Sequence, residues 1–183
     1  EIHFTLNGNF RDIHNGYDYT GKWVAICEDN TLFIEQGTEK IDCKMPLLLS
    51  PVETDIASFT IHSVTIGVDF HWQRKEDQIF KGKIKLIIED SKVTVINVLS
   101  VEDYLVSVIS SEMKATSSME LLRAHAVISR SWLLAQMEKS KTLGREAKKY
   151  ETNFRSENEI VRWYDREDHQ NYDVCADDHC QRY

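Results

Sequence analysis

The spacing of apolar positions divides the chain in two. Up to about residue 97 they fall in short runs, at 2–6, 22–27, 31–34, 58–66, 83–88 and 92–98. Runs of this length, rich in β-branched and aromatic side chains and separated by turn formers, predict strands. Asn7-Gly8 and Asn15-Gly16 read as turns, and the Glu89-Asp90-Ser91 break joins the last two runs into a hairpin. Trp72 and Phe80 flank a charged stretch, 73–78, that reads as a solvated loop. This half is expected to be antiparallel β.

From residue 100 the period lengthens to that of helices. Ser100 with Asp103 makes a capping-box pattern, which predicts a short helix to about residue 109. Ser117 with Glu120 opens a longer one, to about residue 140. In it Leu121, His125, Ile128 and Trp132 share a face, with Ala124, Val127, Ser131 and Leu134 beside it. A stripe so wide predicts burial around much of the helix, against the β half and the shorter helix. Beyond residue 141 the chain turns polar, and 151–168 is charged with scattered aromatics. The expectation is one α+β domain over 1–183, with a β-rich part at 1–99, a helical part at 100–140 and a polar segment at 141–183.

Composition narrows the partners. The 183 residues are 42% hydrophobic and 28% charged, the balance of a folding globular chain. Lys plus Arg number 22 against 30 Asp plus Glu, a net charge of −8 that is poorly suited to gripping phosphate backbones, so nucleic acid is not an expected partner. Apolar stretches such as 45–49 fall far short of the ~20 residues of a membrane span, so no transmembrane helix is expected. The start at Glu1, without methionine or an apolar leader, reads as that of a processed or excised piece.

Candidate chemistry lies in three places. Ser110-Ser111-Glu112-Met113-Lys114 sits between the two predicted helices, where a carboxylate can project from a rigid base. Cys175, His179 and Cys180, with Asp177 and Asp178 between them, offer three corners of a tetrahedral zinc site. A Cys175–Cys180 disulfide, or free thiols, stands equally open. Tyr104, with an apolar ring and a polar tip, either lines a cleft or packs, and Trp72, Tyr104 and Trp163 could stack on sugar faces or as easily belong to the core. His125 reads as a hydrogen-bonding core residue in preference to a catalytic one.

The order Val101-Glu102-Asp103-Tyr104-Leu105, Val108, Ser111-Glu112-Met113, then Leu122-Arg123-Ala124-His125-Ala126-Val127 and Ser129-Arg130-Ser131-Trp132, resembles the signature of the SpoIID/LytB domain. Gly67, Phe70, Trp72, Gly82 and the run ending in Asn97 resemble that family's β-rich lead-in, and residues 175–183 resemble its His-Cys-Gln segment. The resemblance implies a bacterial cell-wall protein of the envelope or exterior, with its signal or anchor removed. Its implied activity is that of a lytic transglycosylase, cutting peptidoglycan glycan strands stripped of stem peptides; LytB-like members instead enhance an amidase.

In the enzymes the Glu of Ser-Glu-Met is the catalytic acid, which by match is Glu112. Ser111, Met113, Tyr104 and Arg130 are the residues expected here to contact substrate. Arg130 is expected to hold the loop or the substrate, since a cation beside Glu112 would depress the pKa that an acid needs. No cofactor is expected for catalysis, and zinc at Cys175, His179 and Cys180 would be structural. One carboxyl can suffice because closure of an anhydro ring by the muramic 6-hydroxyl replaces attack by water. A zinc hydrolase built on the cysteines is the least favoured alternative. Three departures stand out: Ser110 where the family shows Pro, His125 where it often carries Gln, and an end at Tyr183 before the Gly- and Ser-rich region that completes its groove.

Overall fold

The computed structural model describes residues 1–67, 71–143, 153–156, 160–162, 169, 171–176 and 180–181. The chain forms two compact units, Glu1–Ser100 and Val101–Tyr183.

The first unit is all antiparallel β. Its strands are β1 (Ile2–Asp12), β2 (Asp18–Glu28), β3 (Thr31–Gln36), β4 (Glu39–Cys43), β5 (Leu47–Pro51), β6 (Ser58–Ile66), β7 (Arg74–Phe80), β8 (Lys83–Glu89) and β9 (Lys92–Val98). Hydrogen bonding runs in the order β4-β3-β2-β1-β5-β8-β9, while β6 joins β1 and carries β7 on its far side. Strand β1 serves two partners along one edge: Phe4–Asn7 pair with β6 and Phe10–Asp12 with β5. The register against β2 shifts between Leu6 and Phe10.

That shift corrects the reading of Asn7-Gly8 as a turn. Gly8 takes φ +113°, and a Cβ there would lie 3.2 Å from Ala57 Cβ, so glycine lets the strand bend where it changes partners. Asn15-Gly16 does turn β1 into β2, with Gly16 N–H donating to Asp12 O at 2.9 Å. The β8–β9 hairpin closes at Asp90-Ser91, both with positive φ, as a two-residue turn between twisted strands requires.

The stretch 73–78 is not a loop: most of it lies in β7, paired with β6 from Phe59↔Phe80 to Ile66↔Arg74. As an outer strand, hydrogen-bonded on one side only among the described residues, it keeps its charges in water, which is why composition disguised it. Strands β4 and β5 also lay outside the predicted runs: β4 has only Ile41 and Cys43 as apolar residues, and β5 ends in Ser50-Pro51 after a short unalternating leucine run.

The core follows the two-residue alternation of strands. Phe4, Leu6 and Phe10 of β1 are buried, with Leu32 and Ile34 of β3, Leu49 of β5, Phe59 of β6 and Ile84 and Leu86 of β8. Phe59 sits at the aromatic centre, with ring centroids 6.4 Å from Phe10 and 5.5 Å from Phe80. On the outer side His62 bridges two strands: its Nε2 lies 2.7 Å from Thr5 Oγ1 and its Nδ1 2.8 Å from Asp77 Oδ2. Asp77 also accepts the N–H of Ser63, a residue at φ +56° in the irregular stretch of β6.

The second unit holds α1 (Val101–Glu112), α2 (Met119–Leu143) and a small antiparallel pair, β10 (Asn153–Arg155) with β11 (Ile160–Arg162). Two helix boundaries differ from expectation. α1 continues to Glu112, so the carboxylate belongs to its last turn and not to the connection. α2 is capped by Ser118, whose Oγ accepts Leu121 N–H at 3.2 Å, and not by Ser117, whose own N–H donates to Lys114 O. The predicted apolar stripe is only partly sheltered: Leu121, Val127, Ile128 and Leu134 are exposed, while His125 and Trp132 are half-buried. Ser129 and Leu133 are buried, and the half-buried Leu122 and Ala126 continue their line along the helix. Among the described residues no helix is long and apolar enough to cross a membrane.

Candidate active site

Glu112 ends α1, and His125 lies on the second turn of α2. The connection between the helices is short enough to bring these positions face to face. His125 Nε2 lies 2.8 Å from Glu112 Oε2, with the two side chains 12% and 27% exposed. A charge-assisted contact of this length, withdrawn from most of the solvent, fixes the carboxylate better than a rotamer preference could. Met113, the next residue, is half-buried, and Ser111 is exposed.

His125 is held in turn from its own helix. Ser129 Oγ lies 3.5 Å from His125 Nε2, at the outer limit of a hydrogen bond, and Ser129 is itself 1% exposed. The carbonyl of Ser129 accepts Gln181 Nε2–H at 3.2 Å, which ties the C-terminal segment to the same turn. His125 Nδ1 is buried without a hydrogen-bond partner among the described residues.

The other expected site residues fall elsewhere. Arg130 does not reach Glu112; its Nε and Nη2 donate to the two oxygens of Glu102 at 3.2 and 2.5 Å, clamping α2 to α1. Tyr104 is buried, as are Leu105 and Val108 beside it on α1. The ring therefore belongs to the helix packing, and its body is not open for stacking on a sugar. Trp72 is 44% exposed and lies over Gly67, where an added Cβ would clash with its ring. Trp163 lies outside the described residues.

The cysteine cluster is assembled with a histidine that spacing had not singled out. One ligand atom from each of His169, Cys175 and Cys180 lies within 4.8 Å of the others. Cys180 Sγ is 3.5 Å from His169 Nε2, and both cysteines are free thiols, with no bond between them. The His169 ring also stacks on Tyr172, with centroids 4.7 Å apart. His179 lies outside the described residues. Two thiols and an imidazole form a donor set suited to zinc, whose tetrahedral ligands stand roughly 3.3–3.8 Å apart. The residues fit the ion with small adjustments.

His125 is the hydrogen-bonding, largely buried residue the sequence suggested, but its partner, Glu112, comes from another helix, which periodicity cannot see. His169 precedes Cys175 by six residues, and that spacing was a usable signal.

No curated protein and no solved structure matches the chain. The sequence model of the family described as SpoIID, stage II sporulation protein, matches residues 89–183, which span β9, both helices, the Glu112–His125 pair and the cysteine cluster. With just over half of its length matched, the chain belongs to the SpoIID family of stage II sporulation proteins.

Proposed function

We propose that this protein cleaves the glycan strands of peptidoglycan as a lytic transglycosylase, with Glu112 acting first as acid and then as base. Family membership supports the coarser role at the cell wall. The observation that carries the finer reading is the Glu112–His125 contact, which holds a half-withdrawn carboxylate at a helix end. Protonated Glu112 gives its proton to the glycosidic oxygen, and the C1–O bond breaks as the leaving sugar takes that proton. The resulting carboxylate accepts the proton of the muramic 6-hydroxyl as its oxygen bonds to C1, so the anhydro ring closes and Glu112 is protonated again. No water is consumed and no second carboxylate is needed, unlike in hydrolytic glycosidases.

Ser111 and Met113 flank the acid and are assigned to substrate contact, with Arg130 holding the helices through Glu102. His169, Cys175 and Cys180, with His179 as a fourth candidate, would hold a structural zinc, which when bound crosslinks the C-terminal segment. The protein acts at the cell envelope or outside the cell, on denuded glycan.

The test is incubation with denuded strands and mass analysis of the products. Ends bearing anhydromuramic acid are expected from the wild type and not from Glu112→Gln. Absence of such ends, together with amidase stimulation that survives Glu112→Gln, would install the second reading, a non-catalytic amidase enhancer.

A further inference from the structure

Resting on the reading of Glu112 as acid and base, the geometry points to His125 as the positioning residue that decides which oxygen of Glu112 carries the working proton. A neutral imidazole bears one N–H, on Nδ1 or on Nε2. Nδ1 lacks a partner among the described residues with or without a proton, so the choice is made at the other nitrogen, where a bare Nε2 would set its lone pair against those of the ionised Glu112 Oε2. A proton on Nε2 instead points at Glu112 Oε2, 2.8 Å away. His125 is therefore held with its proton on Nε2 and donates to Oε2.

The consequence for Glu112 follows from the structure of a carboxylic acid, which has one hydroxyl oxygen and one carbonyl oxygen. An oxygen that accepts from Nε2–H is the carbonyl one. When Glu112 is protonated, its proton accordingly sits on Oε1. When it is ionised, the same donor remains on Oε2, and the proton retrieved from the substrate returns to Oε1. In this role His125 acts through Glu112.

The backing is built into α2. Ser129, one turn on, lies beside Nε2, and its carbonyl is engaged by Gln181, so the turn presenting the imidazole is fixed from both sides. A donor fixed this way keeps the carboxylate plane in one orientation through both half-reactions.

The experiment has two arms. In 15N-labelled wild-type protein, two-bond proton–nitrogen spectra of the histidines, with His125 assigned by its loss in His125→Gln, should show the Nε2-protonated tautomer. A Nδ1-protonated ring, or a mixture of tautomers, overturns the inference. In the cleavage assay, His125→Leu removes the donor and should lower kcat on the order of 10²-fold with KM unchanged. His125→Gln, whose side-chain amide is a permanent N–H donor that does not titrate, should restore most of that loss and leave the pH profile in place. A His125→Leu protein as active as wild type, or a His125→Gln protein as impaired as His125→Leu, overturns it as well. The spectra do not depend on cleavage: if the wild type makes no anhydromuramic ends yet shows the Nε2 tautomer, it is the transglycosylase reading that falls.

Discussion

Arg130 meets Glu102 through two hydrogen bonds from one guanidinium fork, joining α2 to the first turn of α1 and leaving Glu112 to His125. Both side chains are well exposed, at 42% and 68%. Exposed pairs contribute little to stability even when bidentate, so Arg130→Ala should cost at most about 1 kcal/mol in urea unfolding. If the clamp is its role, kcat should fall with KM unchanged, and Arg130→Lys should behave like Arg130→Ala because an ammonium cannot reproduce the fork. A rise in KM alone would instead place Arg130 on the substrate.

The centre of the β unit should respond very differently. Phe59 is fully buried between Phe10 and Phe80. Phe59→Ala removes a large ring from a packed interior and should destabilise by roughly 3–5 kcal/mol. Denaturant unfolding followed by tryptophan fluorescence measures this, and a loss under about 1 kcal/mol would show that the core described here is not the one that holds the sheet.

Asp77 predicts a pH effect of known sign. The N–H of Ser63, followed by the side chain of His62, holds its carboxyl below the ordinary carboxylate range. A carboxyl with a lowered folded-state pKa contributes stability above its unfolded value, near 4, and that contribution disappears as pH falls through the folded value. Wild type should therefore be more stable than Asp77→Asn at pH 6, with the gap closing below about pH 4. Unfolding midpoints of the two proteins across that range check it; a gap that widens on acidification contradicts the assignment. High salt should shrink the gap throughout, since the carboxylate is 58% exposed.

The thiols should separate into two kinds. Burial pushes the Cys43 thiol up to about 11, so in the native protein at pH 8 it should resist alkylation whether or not metal is present. Cys175 and Cys180 are half-buried and lie with His169, so zinc should shield both from alkylation and a chelator should expose them. Peptide mass mapping after iodoacetamide, with and without zinc, reads all of these positions at once. Labelling of Cys175 and Cys180 that zinc does not change would remove the metal proposal, and His169→Ala should weaken the shielding while leaving Cys43 unchanged.

How much of this was legible in the sequence depended on the range of the forces involved. Hairpin turns are local, so Asn15-Gly16 and the break at Asp90-Ser91 could be located from residue type and the demand for positive φ. Gly8 carried the same local signal but was used for a bend inside β1, because Ala57 and β6 lie against it. β7 could not be recognised from composition, since an outer strand has one wet face and one bare edge, and charges suit both.

What the sequence determined by itself was the division into a β half and a helical half, the family signature around Ser111-Glu112-Met113, and the cysteines near the end. Periods of two and of 3.6 residues are imposed by backbone geometry and survive in any tertiary context. Only the tertiary structure decided that the buried line of α2 runs through Ser129 and Leu133, that Arg130 belongs to Glu102, and that His125 belongs to Glu112. Those choices depend on the crossing of two helices and the length of the link between them, and a helical wheel drawn from one segment contains neither.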